Sequence, residues 1–292
     1  MTNPLREYAQ NVTSGGGEDG IIKRMFEVIG ARNKWCVELG ALNGTHDSNS
    51  WNLINNEGWS AVLIEGDRTY FEKAAALYKD APRVHAVNSF VSFEGKNTLD
   101  AVLGRTPIPR DFDLLVLDID GNDYHVWDSL AAYRPRAVCI EFNPTIPNDI
   151  LFVQPRDMCV FQGSSLRALF ELGARKGYRL VATTDGNAFF VVSEAFEAFA
   201  LPDGSLDFLH PSSPFYTRLF QLYDGTLVLD GYKELFWHKI PINQERMQVL
   251  PRSKRRYHAR ISGSAVVRAL KYAVRKMPLY PVLQRIRKTV WK

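Results

Sequence analysis

Residues 35–44, WCVELGALNG, constrain this chain more than any other segment. An apolar run ends in a turn flanked by Gly40 and Gly44, with one acid, Glu38, close to the end of the run. Further on, SAVLIEGD is a second apolar run and ends in Glu65. A strand, a glycine turn, a helix and a second strand ending in an acid form the unit with which a doubly wound α/β domain holds a nucleoside. The glycines let backbone approach the ligand, and the carboxylate accepts the two ribose hydroxyls.

The rest of the chain fits that frame. Apolar residues at three- and four-residue steps (Ile21, Ile22, Met25, Phe26, Ile29) predict a helix over 18–29, with Gly30 as its stop. Helices are predicted over 47–57, 68–78, 124–132 and 164–176, and strands over 35–39, 59–64, 84–88, 112–119 and 137–142. Residues 99–103 fall in a connection of no clear type. The continuous run FDLLVLDI at 112–119 suits a central parallel strand covered on both faces. The pair YRLVATT and NAFFVVS, joined at Asp185-Gly186, reads as a closing antiparallel hairpin. The predicted fold class is therefore α/β: a doubly wound, mostly parallel sheet with a C-terminal antiparallel hairpin, followed by a basic helical tail.

Four regions are expected: a glycine-rich, flexible N-terminal lid over 1–20, a nucleoside-binding domain over 21–193, a cap or oligomer-contact region over 194–251, and a basic amphipathic tail over 252–292. The net charge of +4 hides an asymmetry. Residues 252–292 hold 13 Lys and Arg and no acid, while the remaining 251 residues carry 23 basic against 32 acidic side chains. That split implies electrostatic attachment as a second task. No apolar run approaches the ~20 residues that span a bilayer, and the polar start of the chain has no secretory h-region. Cys36, Cys139 and Cys159 lie in or near apolar segments without CxxC spacing, and are expected to be small buried hydrophobes in a reducing compartment.

The turn G-A-L-N-G departs from the G-x-G-x-x-G dinucleotide fingerprint and suits a smaller ligand without a pyrophosphate. Val37-Glu38-Leu39-Gly40-Ala41-Leu42-Asn43-Gly44, the acid Glu65 and the strand ending in Asp118 together resemble the class I methyltransferases that use S-adenosyl-L-methionine (SAM). The segments NVTSGGGEDG, WSAVLIEGD, LLVLDIDGNDYHVWDSL and VCIEFNP resemble more closely the FkbM-like and macrocin-type sugar O-methyltransferases, over about residues 8–192. The resemblance implies that Glu38, Gly40, Ala41, Asn43 and Gly44 line the methionine and ribose of SAM. It also implies that Glu65, followed by Gly66, takes the ribose hydroxyls, that Asn88 lies near the adenine, and that Asp118 bounds the cofactor.

Methyl transfer to a neutral sugar hydroxyl needs a base or a metal to promote loss of its proton. The segment DIDGNDYH supplies Asp118, Asp120, Asp123 and His125 just past the carboxyl end of a central strand, where open α/β sheets bind ligands. Asp120 is the expected base, with Asp118 and His125 as further catalytic candidates. Asp123 reads equally as a helix N-cap, and His210 is a runner-up base. Asp118, Glu141 and Asn143 are oxygen ligands at adjacent strand ends and form a candidate Mg2+ site. Macrocin-type enzymes place acids at both strand ends, whereas this chain has Glu-Phe-Asn at the second.

The tail contains two basic amphipathic patterns. One runs through Val266, Leu270, Ala273, Val274 and Met277, the other through Leu279, Leu283, Ile286 and Val290, with Trp291 near the end. Such helices suit an anionic membrane surface or, alternatively, docking on the body of the protein or on a second subunit of a homo-oligomer. The expected location is accordingly cytoplasmic, peripheral at the inner face of the cytoplasmic membrane, with a glycan or sugar acceptor as partner. Sparse aromatics in the tail count against a nucleic-acid partner, as does Asp-Ile-Asp-Gly where base methyltransferases carry Asn/Asp-Pro-Pro-aromatic. The competing readings are a nucleic-acid methyltransferase anchored by its tail, a non-catalytic scaffold on the same fold, and an NAD-dependent sugar enzyme.

Overall fold

The computed structural model describes residues 3–236, 238–257 and 265–277. The chain divides into two compact units, Met1–Tyr216 and Thr217–Lys292. Residues 194–216 of the expected cap thus belong to the first unit.

The first unit is built on a seven-stranded sheet: β1 (Trp35–Leu39), β2 (Ser60–Glu65), β3 (Val84–Asn88), β4 (Leu114–Leu117), β5 (Ala137–Glu141), β6 (Tyr178–Thr183) and β7 (Asn187–Val192). The order is β3-β2-β1-β4-β5-β7-β6. Strands β1 to β5 pair in parallel, while β7 runs antiparallel to both β5 and β6. The chain reverses its winding between β1 and β4, so the carboxyl ends of those two strands flank the crevice in which a doubly wound sheet binds ligands.

The central strands are apolar apart from Glu38 in β1 and the acids at the carboxyl ends of β2 and β5, because both faces are covered. Val37, Leu39, Val62, Ile64, Leu115, Leu117, Val138 and Ile140 point into one buried layer, together with Val126 and Trp127 of α5 (Asp123–Ser129) and Leu169 and Leu172 of α6 (Leu166–Arg175). Cys36, Ala61, Leu63, Leu114, Val116 and Cys139 point into the other. There they meet Ile22, Met25 and Phe26 of α1 (Glu18–Ile29) and Leu53 and Ile54 of α2 (Trp51–Asn56). Helix α3 (Arg68–Leu77) begins under an Asp67 cap that accepts the Thr69 and Tyr70 amides. Residues 99–103 form the short helix α4 (Leu99–Leu103), capped by Thr98.

The strand expected over 112–119 spans Leu114–Leu117. Asp113 is fully buried and its carboxylate collects the backbone amides of Arg32, Asn33 and Lys34 and the Arg136 guanidinium. This charge fixes the amino-terminal edge of the sheet, opposite the carboxyl ends of the parallel strands.

In the first unit, α7 (Leu206–Leu209) follows the sheet. The second unit contains the hairpin β8 (Thr217–Gln221) and β9 (Leu227–Gly231) and the helix α8 (Ala265–Arg275). Val266, Leu270, Val274 and Met277 of the first predicted tail pattern are exposed. The second pattern, Leu279 to Trp291, lies outside the described residues. No helix among the described residues is long and apolar enough to cross a membrane.

Candidate functional site

The turn after β1 is shaped by close backbone approach. Gly40 has φ +85°, and a Cβ there would lie 1.8 Å from the Asp118 carbonyl oxygen, so only glycine fits. The Gly40 and Ala41 amides both donate to the Ile64 carbonyl, which locks the turn to the end of β2. Leu42 follows in the left-handed region at φ +46°. Gly44, at φ +80°, packs against the Tyr78 ring.

Glu65 joins this turn to the next. Its Oε2 accepts the Leu42 amide at 2.8 Å and its Oε1 accepts the Asp67 amide at 2.7 Å. Each oxygen keeps a second lone pair, so the carboxylate, held by two backbone turns, can still accept two hydroxyls. Beside it a cavity of about 820 Å³ is lined by Gly66, Asp67, Asn88, Ser89, Phe90 and Arg105, among others. The Phe90 ring lies over Gly66, where a Cβ would come within 2.6 Å of it. Asn88, expected at the adenine, donates its amide to the Glu65 and Gly66 carbonyls, which leaves its side-chain oxygen for a ligand.

Two of the expected cofactor residues turn out to serve the scaffold through their side chains. Glu38 is buried and accepts from the Ser48 and Ser50 hydroxyls and the Asn49 amide. Burial pushes its carboxyl up, against the pull of those hydrogen bonds. The Asn43 side chain accepts the Thr45 and His46 amides, stiffening the turn.

The acids gather at the carboxyl ends of β4 and β5. Asp118, Asp120 and Glu141 bring carboxylate oxygens within 4.8 Å of one another. Burial holds Asp118 well above the usual carboxylate range, and the neighbouring Asp123 and Asp120 add to it. Glu141 is raised likewise by burial and by Asp118 and Asp123. Asp120 is exposed and sits at φ +57°, a left-handed conformation that Asp tolerates better than most residues. Crowding of like charges in this half-buried site is relieved by holding protons or by taking up a cation.

Three sequence expectations need correction here. Asn143 does not join the acidic group: its side-chain oxygen accepts the Thr145 amide and hydroxyl and its amide donates to the Gln162 carbonyl, so it caps a turn. Asp120 takes its place among the candidate ligands. His125 is buried, with Nε2 donating to the Gln154 carbonyl at 2.9 Å and its ring edge-on to Phe93 and Tyr124, a poor position for a base. Asp123 is the first residue of α5 rather than its N-cap, which is Asn122. Its carboxylate folds back to accept the Ile119 and Gly121 amides and so shapes the loop that carries Asp120. Burial raises it to about 6.

The sequence reading missed the pair at the start of α1. Asp19 accepts the amides of Val12, Thr13 and Ser14 on a single oxygen. Glu18 accepts from Gly16, Thr184 and Asn187. The expected flexible lid is thereby fastened at 12–16 to α1 and to the β6–β7 hairpin. Only a local sign, GGGEDG, was available, since the hairpin partners lie more than 160 residues away.

His210 is fully buried, with Nδ1 2.9 Å from the Thr183 hydroxyl. Burial lowers its pKa to about 4, which makes it a neutral core residue rather than a base poised for catalysis. Cys36 and Cys139 are buried as expected, with thiols pushed up by burial, but Cys159 is exposed.

No family model and no curated protein sequence matches the chain. Solved structures do. The N-terminal domain of EvdMO1, crystallised in the presence of SAH and D-fucose, is 16% identical over 60% of this chain and 80% of its own, with a TM-score of 0.41. An O-methyltransferase from Bacillus cereus in complex with SAH is 19% identical over 65% of this chain and 86% of its own, with a TM-score of 0.42. Monomeric WbdD is 18% identical over 63% of this chain and 42% of its own, with a TM-score of 0.39.

The fold is the class I methyltransferase fold. Strand order and the antiparallel β7 establish it from the chain's own geometry. The distant likenesses are of fold alone.

Proposed function

We propose that the chain is a SAM-dependent O-methyltransferase of the FkbM-like or macrocin type, acting on a sugar hydroxyl of a surface polysaccharide or lipid-linked glycan at the cytoplasmic face of a membrane. The single observation that carries this reading is Glu65. Its carboxylate is anchored by the Leu42 and Asp67 amides with two acceptor sites to spare, at the lip of the glycine turn and beside the large cavity.

The residues present fit SAM. The Gly40 position is free of side-chain bulk, Glu65 takes a ribose diol, and the cavity by Gly66, Asn88 and Phe90 is polar and aromatic enough for an adenine. When bound, SAM supplies a methyl group already activated on a sulfonium. The protein's share is alignment and exclusion of water. Asp120, exposed on a loop held by Asp123, is the group that takes the acceptor hydroxyl's proton.

As an alternative to Asp120 acting alone as base, Asp118, Asp120 and Glu141 would hold Mg2+, since three carboxylates are the hard oxygen donors that ion takes. Such an ion would lower the pKa of an acceptor hydroxyl. The basic tail supports attachment to an anionic membrane, where lipid-linked glycans are assembled.

Methyl-labelled SAM incubated with the protein and a cell-envelope glycan extract, with and without chelator, tests this. Label in the lipid or polysaccharide fraction supports the reading. Label found in RNA alone, or in no fraction, overturns it.

A further inference from the structure

The second unit carries a surface that the methyltransferase reading leaves unused. Residues 217–292 hold 17 Lys and Arg against 4 Asp and Glu, a net of +13. The hairpin β8–β9 pairs Leu219 with Leu229 and Phe220 with Val228, and its turn is closed by hydrogen bonds between Leu222 and Thr226 and between Gly225 and Leu222. Leu229 is the one fully buried apolar residue among the described residues of this unit. A two-stranded hairpin with so little core is marginal unless something covers it.

Uncovered apolar groups gather at the turn, as they do on α8 and at Leu235 and Ile240. Tyr223 is 98% exposed at its tip, with Phe220 and Leu222 exposed on the strand leading into it. Leu250 packs at the turn too, since a Cβ on Gly225 would lie 2.8 Å from its methyl, and Val249 beside it is 82% exposed. The next residues are basic. Arg252, Lys254 and Arg256 are exposed, and Arg255 is held beside the turn by Glu245, 2.8 Å away, and by the charge of Asp224. An exposed, aromatic-tipped apolar turn followed along the chain by a basic segment matches an anionic bilayer, whose headgroups attract the cations while the tip enters the acyl boundary.

We infer that the β8–β9 turn, through Leu222, Tyr223, Val249 and Leu250 and with the basic segment Arg252, Lys254 and Arg256 that follows Leu250 in the chain, inserts into anionic membranes as an attachment point separate from the amphipathic helices of the tail. It extends the membrane part of the proposed function and is independent of the methyl-transfer chemistry.

The test uses the full chain carrying Cys159→Ser and Tyr223→Cys, labelled at residue 223 with an environment-sensitive fluorophore. Cys36 and Cys139 are buried, which directs the label. Phosphatidylcholine vesicles containing phosphatidylglycerol should shift the emission to the blue and allow quenching by brominated acyl chains, while phosphatidylcholine alone should do neither. In the unlabelled chain, Tyr223→Ser should weaken vesicle binding about tenfold and leave SAM affinity unchanged. Vesicle binding with the label still in water, and with Tyr223→Ser unaffected, would overturn the turn's role and leave the tail as the anchor. No vesicle binding by the full chain would overturn the turn and the tail together, and the labelled-SAM assay would be untouched by either result.

Discussion

Glu65 reaches from the end of β2 to the Leu42 amide, 2.8 Å away, and so couples the acid of the second strand directly to the glycine turn of the first. The same carboxylate accepts the Asp67 amide that opens α3. Its position is therefore set by backbone on two sides, as precise recognition of a diol requires. Glu65→Gln turns one acceptor into a donor facing an N–H. It is expected to weaken SAM by roughly 10- to 100-fold, the worth of a hydrogen bond to a charged group, with the fold retained by circular dichroism. Isothermal titration checks it.

Gly40→Ala should be damaging well beyond a methyl's bulk. The new Cβ would meet the Asp118 carbonyl at 1.8 Å on a backbone with φ +85°. A loss of about 3 kcal/mol or more in urea-unfolding stability is expected, from left-handed strain and overpacking together. A variant of wild-type stability would show that the turn is not as tight as described.

Asp113→Ala tests the opposite end of the sheet. It leaves the Arg136 guanidinium, mostly buried, and three backbone amides without their acceptor. The expected cost is about 3–5 kcal/mol, with no change in the relative affinity for SAM in whatever fraction folds. Denaturant midpoints and titration of the folded protein separate the two effects.

The pH dependence follows from the raised acids. Asp118 and Glu141 are pushed well up and Asp123 to about 6. A carboxyl whose folded pKa exceeds its unfolded value of about 3.9 binds its proton more tightly when folded. For Asp123 the contribution to stability therefore falls as pH rises from about 4 through 6, and Asp118 and Glu141, pushed up in the same direction, add to the loss as pH rises. His210 acts in the other direction: lowered to about 4, it is neutral in the fold, and stability is lost as pH falls below about 6.5 toward 4. His210→Gln should flatten that acid limb relative to the wild type. A bound Mg2+ must displace protons from Asp118 and Glu141, so its stabilising shift in melting temperature should be larger at neutral pH than at pH about 5.5. Equal shifts at both values would count against the acids as its ligands.

The strands were legible because a parallel sheet covered on both faces demands unbroken apolar runs, and such runs are visible one residue at a time. β1 and β3 fall where the pattern places them, and β4 is shorter than the run at both ends, with the Asp113 side chain engaged by the chain at 32–34 at one of them. Glu65 was legible for the same reason, as an acid at the end of a run. Asn143 and His125 were misread because residue type and strand-end position say nothing about which local carbonyl or amide has already engaged the side chain. Glu18 and Asp19 were invisible since their work is to receive hydrogen bonds from a loop and from a hairpin far along the chain. Cys159 is exposed despite its apolar neighbours, because the segment around it is only partly covered and Phe161 itself is exposed.

Calorimetric titration of the full chain with SAM and with its demethylated product, repeated for Glu65→Gln and Asn143→Ala, tests the central claim most directly. One site per chain is predicted for both ligands, weakened at least about tenfold by Glu65→Gln and left intact by Asn143→Ala, whose side chain serves a turn. No heat with either ligand, or a Glu65→Gln variant that binds as well as the wild type, would contradict the account.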